Sequence, residues 1–167
     1  MNAKPDELAR KLVRNFNDIE KTVDVRLPLY ETLTARLGVD TAAKHLGASI
    51  DIVAAGKRSC PYHFHHAQEE MFVILERHGT LRVAGEMIPI KAGDVIFIPP
   101  GREYPHQIIN SSEMPIKYLS IGTQHDPEVV EYPDSGKYQA IARGSEDLPL
   151  RVIQKKDKSL DYWEGEP

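Results

Sequence analysis

From Leu46 onward the sequence breaks into short runs of alternating or apolar residues, each closed by glycine or proline roughly every ten positions, and few folds accept that rhythm. Ala48-Ser49-Ile50-Asp51-Ile52-Val53 runs to Gly56. Glu70 to Glu76 follows, then Thr80 to Ala84 ending at Gly85, Met87 to Ile90 ending at Lys91-Ala92-Gly93-Asp94, and Val95 to Ile98 ending at Pro99-Pro100-Gly101. Such runs are too short for ordinary helices, and their turn spacing predicts an all-β sandwich or jelly-roll barrel. Prolines 99, 100, 105 and 115 mark loops or strand ends, because proline has no N–H to give a sheet ladder.

The flanks read differently. Within residues 5–20, Leu8, Leu12, Val13 and Phe16 recur at spacings of three and four, which predicts a short amphipathic helix packed on another element. Tyr30 to His45 gives mixed signals; Leu33 to Val39 superficially resembles part of a helix-turn-helix, but the segment is not basic. Beyond His125 the chain turns polar, with a turn at Tyr132-Pro133-Asp134-Ser135-Gly136 and an aromatic tail, Asp161 to Gly165, expected to dock on the barrel or on a second subunit. The expected organisation is an N-terminal extension packing on the barrel (1–45), a barrel core (46–124), and C-terminal strands and tail (125–167).

Composition narrows the function classes. A chain of 167 residues suits one domain, and 41% apolar residues can supply its core. The net charge of −4, with no basic run, argues against a nucleic-acid partner or an anionic membrane surface. The charged stretch Met1 to Glu7 is followed by no apolar segment of signal-peptide or membrane-span type. Cys60 is the single cysteine, so no intramolecular disulfide can form, and a cytoplasmic location is expected.

The chemistry concentrates between Gly56 and Glu70. In a strand, His63 and His65 project to one face while Tyr62 and Phe64 point the other way. Glu70 begins the next run, and a hairpin would lay its carboxylate beside the two imidazoles. A third imidazole, His106, stands at a predicted strand start after the turn-rich stretch from Gly93 to Pro105. Three nitrogens and one carboxylate suit a divalent manganese, iron, nickel, cobalt or zinc ion with positions left open for water or substrate. Glu69 has the opposite parity and is expected outside this group; His66 lies off the shared face; His45, His78 and His125 read as surface or turn residues. Cys60 reads as a buried thiol. Lys57, Arg58 and Arg102 stand close enough in sequence to place cations at the mouth of a pocket, which would favour an anionic ligand.

This constellation resembles the cupin superfamily. Gly56, His63, His65 and Glu70 match its first motif with one added residue after the glycine, and Arg77 stands where the family has a glycine, which predicts a differently shaped turn. Gly93, Pro99, Gly101, His106 and Asn110 match the second motif with two added residues, which put Tyr104 at the family's usual ligand position. His106 has the family's spacing to Asn110 and is taken as the ligand. Tyr104 shares its strand parity and is the alternative ligand, or a catalytic substrate contact or proton donor. The resemblance covers about residues 46–122 and implies a double-stranded β-helix barrel holding a divalent metal ion, and barrels of this kind pair into homodimers through sheet edges. Similar small bacterial cupins have been labelled sugar-phosphate isomerases, and others are dioxygenases or non-catalytic binding proteins. The expectation is therefore a metal-binding cupin acting on a small polar or anionic molecule, isomerase-like or dioxygenase-like, with a binding or sensor protein as the alternative.

Overall fold

The computed structural model describes residues 3–143, 150–157 and 159–167. One helix, α1 (Ala3–Leu12), precedes the strands β1 (Thr22–Arg26), β2 (Tyr30–Arg36), β3 (Leu46–Val53), β4 (Phe64–His65), β5 (Glu70–Glu76), β6 (His78–Val83) and β7 (Glu86–Lys91). β8 (Val95–Ile98), β9 (His106–Ile109), β10 (Ile116–Thr123), β11 (Glu128–Tyr132), β12 (Lys137–Ala142) and β13 (Leu150–Lys155) complete the described elements. They form a six-stranded sheet in the order β1-β2-β3-β10-β5-β8, a four-stranded sheet β13-β12-β11-β4 and a three-stranded sheet β7-β6-β9. This is a jelly-roll barrel. Single bridges from Arg58 to Tyr30 and to Ile109, and from His63 to His106, stitch the sheets together.

The predicted runs at 70–76 and 95–98 form strands with those bounds, the run at 48–53 begins two residues earlier as Leu46–Val53, and the runs at 80–84 and 87–90 become His78–Val83 and Glu86–Lys91. β6 and β7 join through Ala84 and Gly85, whose φ values of 50° and 85° give the doubly left-handed loop that matches the twist of a tight hairpin. The sheet also begins earlier than the boundary at residue 46: β2 pairs with β3 from Thr32↔Val53 to Arg36↔Ser49, and β1 pairs with β2. Residues 22–36 therefore extend the barrel wall rather than packing on it from outside.

Two flanking expectations are corrected. The helix stops at Leu12, and Leu8, Leu12 and Val13 are exposed, so its apolar stripe is not covered; Phe16 instead lies under the Lys117 ammonium at 5.1 Å. Tyr162 and Trp163 pack edge-to-face on each other, and both are exposed, so the tail does not dock on the barrel.

Strand register divides the interior into levels. On β3, β10 and β5, Gly47, Gly122 and Glu70 stand level; Ser49, Ser120 and Phe72 form the next level; Asp51, Tyr118 and Ile74 the one after. Val53 and Ile116 follow, fully buried, and join Ile74, Leu81 and Ile90 in a core cluster that closes this end. The other end stays open.

Candidate metal centre

His63 and His106 are fixed to each other by the backbone. The His63 N–H donates to the His106 carbonyl at 3.1 Å and the His106 N–H returns the bond at 2.7 Å, so the two residues face each other as an antiparallel pair. Their rings lie with centroids 4.6 Å apart. His63 Nδ1 sits 2.8 Å from the Pro61 carbonyl and His106 Nδ1 sits 3.1 Å from the Tyr104 carbonyl. A carbonyl only accepts, so each Nδ1 is the donor and Nε2 is the ring atom turned toward the interior as a potential ligand.

The Nε2 atoms converge. Oε2 of Glu70 lies 2.8 Å from His106 Nε2, 3.4 Å from His65 Nε2 and 3.9 Å from His63 Nε2. Donor atoms of His63, Glu70 and His106 all fall within 4.8 Å of one another, and His65 joins them through Glu70. Although the His106 contact is short, neither His106 Nε2 nor Glu70 Oε2 has a hydrogen-bond partner of acceptable geometry, and both are buried. Burying polar atoms without partners is costly, and shared coordination of a cation would satisfy them. The donor set thus fits a divalent metal ion.

Electrostatics agree with that fit. Burial alone would raise the pKa of Glu70, but the His106 contact and the neighbouring His65 and His63 rings outweigh it and hold the carboxyl at about 2. Burial pushes His65 below the usual imidazole value against the pull of Glu70. An ionised Glu70 carboxylate and a His65 shifted toward its neutral form suit metal coordination.

Residues 50–122 match the profile of the cupin domain. Over those residues the barrel is similar to a cupin domain. An uncharacterised protein of Methanocaldococcus jannaschii is 34% identical over 84 residues, which span 48% of this chain and 65% of that protein. The crystal structure of a protein provisionally assigned as a sugar phosphate isomerase from Acidithiobacillus ferrooxidans superposes with a TM-score of 0.79 at 25% identity, covering 92% of this chain and 97% of that one. A sugar phosphate isomerase from the cupin superfamily of Silicibacter pomeroyi gives 0.76 at 22% identity, covering 90% and 97%. The cupin likeness therefore extends beyond the barrel core into the flanking strands. Arg77, in the cupin glycine position, has φ of 70°, so the turn keeps the left-handed backbone that a glycine would adopt and is not reshaped.

The structure brings His63, His65, Glu70 and His106 together, but not by the hairpin that their spacing suggested. β4 pairs with β11, whereas β5 lies between β10 and β8 in the other sheet. Glu70 thus reaches the imidazoles across the barrel. Tyr104 is not brought in: its side chain is 44% exposed and does not line the cavity, and its contribution is the backbone carbonyl that orients His106. Lys57, whose ammonium donates to the Pro28 carbonyl, does not line it either, nor do Arg58 and Arg102. The cavity of about 610 Å³ that holds His63, Glu70 and His106 is lined instead by Arg36 and Asp51 among others.

Sequence reasoning missed Glu128. It is buried, its Oε1 lies 3.5 Å from His65 Nδ1, and the same oxygen accepts the N–H groups of His66 and Ala67 at 3.0 and 3.4 Å. The approach to His65 is not a hydrogen bond, since His65 Nδ1 has no such partner, but the negative charge behind the ring raises its basicity. No spacing signal links residues 65 and 128; only the β4–β11 pairing, with His65 opposite Val130, does so. Asn110 is a structural member of the motif: its amide donates to the carbonyls of Val53 and Met114, and it is fully buried.

Proposed function

We propose that this chain is a divalent-metal-dependent enzyme of the cupin superfamily acting on a small polar, anionic substrate, with His63, His65, Glu70 and His106 as the metal ligands. The observation that carries the reading is the convergence of three imidazole Nε2 atoms on one buried carboxylate oxygen. Sugar-phosphate isomerisation is the activity we favour, because the chain is similar over nearly its whole length to the provisionally assigned isomerase of Acidithiobacillus ferrooxidans. A bound divalent ion supplies Lewis acidity toward adjacent substrate oxygens.

The protein's own groups do the rest. The Pro61 and Tyr104 carbonyls hold the His63 and His106 rings in ligating orientation, the Glu128 carboxylate sets negative charge behind His65, and Phe72 and Ile108 give the cavity an apolar flank that limits water. Cys60 lines the same cavity, but burial pushes its thiol up to about 12, so it stays protonated and is no nucleophile.

The test combines elemental analysis of protein purified without added metal with turnover on a panel of sugar phosphates. The reading expects about one divalent transition ion per chain and aldose–ketose interconversion, both lost in His63→Ala. Tight binding of panel members with no product from any would replace the enzyme with a binding protein. Oxygen uptake by an iron-loaded form, without isomerisation, would replace it with an oxygenase.

A further inference from the structure

The interior face of the six-stranded sheet is polar where a barrel would ordinarily be apolar. Thr34, Arg36, Ser49, Asp51, Tyr118 and Ser120 all line the cavity that holds His63, Glu70 and His106. Their places follow from register: Asp51 stands between Thr34 and Tyr118, and Ser49 between Arg36 and Ser120. Gly122, level with Glu70, keeps a side chain out of the space beside that carboxylate, where a Cβ would already touch Glu70 Cγ at 3.7 Å, while the space at Gly47 is taken by the Gln124 side chain.

Asp51 is the centre of this patch. Thr34 Oγ1 donates to its Oδ1 and Ser49 Oγ to its Oδ2, each at 2.7 Å. One donor per oxygen fixes the plane of the carboxylate and leaves a lone pair on each oxygen for a further donor. No ion pair is formed by Asp51 among the described residues, and burial pushes its carboxyl above the usual range despite the two hydroxyls. Among the described residues Arg36 is the one Lys or Arg that lines the cavity, and it lies at the exposed rim.

We infer that the cavity contains a second subsite in which Asp51 accepts hydroxyl groups of a small polyhydroxylated ligand while Arg36 takes the ligand's anionic end. The inference rests on the reading of this cavity as a substrate site and adds the residues that recognise the hydroxyls and the charge of the substrate. Its chemistry is general: a buried carboxylate with free lone pairs gains most from a ligand that brings hydroxyl donors, and a guanidinium matches a carboxylate or phosphate. Neither residue carries a motif, and β3 alternates in the same way whichever face turns inward, so this patch emerges only from the register.

The test uses the full manganese-loaded chain and three probes, measured by calorimetry: gluconate, which has hydroxyls and charge; sorbitol, which has hydroxyls only; and hexanoate, which has charge only. The wild type is expected to bind gluconate most tightly. Asp51→Asn, an isosteric change that keeps both hydroxyl contacts possible, is expected to weaken gluconate and sorbitol about tenfold or more while leaving hexanoate unchanged. Arg36→Gln, on the exposed rim, is expected to weaken gluconate and hexanoate several-fold and to spare sorbitol. The proposal is overturned if Asp51→Asn binds gluconate like the wild type, if Arg36→Gln leaves gluconate binding unchanged, if hexanoate binds as tightly as gluconate, or if no probe binds. Metal content of the same samples separates the two readings: a wild type without manganese sinks the metal centre, while the ratio of wild-type to Asp51→Asn affinity still reports on the subsite.

Discussion

β5 carries Glu70 at the open end of the barrel and Ile74 four residues later at the closed end, and the same contrast runs along its neighbours. β3 passes from Ser49 and Asp51 to Val53; β10 passes from Ser120 and Tyr118 to Ile116. At the closed end Ile74, Ile116 and Val53 are almost wholly buried and interlock with Leu81 and Ile90. At the open end the side chains are imidazole, carboxylate and hydroxyl, several of them without hydrogen-bond partners. Each strand thus spends its apolar residues on stability and its polar ones on binding, and a change at one end should leave the other largely intact.

The largest expected effect breaks the closed end alone. Ile74→Ala should cost about 2–5 kcal/mol in denaturant unfolding while metal stoichiometry of the folded fraction stays unchanged. Acid should act on the open end. In the metal-free protein Glu70 is held at about 2, below its ordinary 4.5, so the unfolded chain binds its proton first. Stability that is complete above about 4.5 is therefore lost as pH falls toward 2, by about 3 kcal/mol, and Glu70→Gln should flatten that limb of the stability profile. His65, pushed below its ordinary 6.5, acts with the same sign at higher pH: stability declines as pH drops through about 6.5. Glu128→Gln should weaken metal binding about 10–100-fold, measured by competition with a chelating dye, with little change in unfolding. The smallest effect lies outside both ends. Arg77→Gly should stabilise by up to about 1 kcal/mol, because an exposed non-glycine residue in the left-handed region carries a strain that glycine lacks.

Much of this contrast was legible in the sequence. β5 and β8 were readable to the residue and β3 to within two, because alternation bounded by glycine and proline is a local signal. The four presumptive ligands were readable from motif order. Which sheet each strand joins was not: the spacing of His65 and Glu70 looks like a hairpin, but β4 pairs with β11, more than sixty positions on, and long-range pairing leaves no local mark. Asp51 and Arg36 escaped for the reason that alternation has no sign: Ile50, completely buried, faces the opposite side of the sheet from Asp51, and either set could have lined the barrel. The covering of the helix, and the docking of the tail on the barrel, were misread because apolar spacing shows that a stripe exists, not that something covers it.

The most direct test of the metal centre is an anomalous difference map from crystals grown with manganese. The expected result is one strong peak bonded to the Nε2 atoms of His63, His65 and His106 and to a carboxylate oxygen of Glu70. A peak on any other set of side chains, or none in fully loaded crystals, would contradict the account.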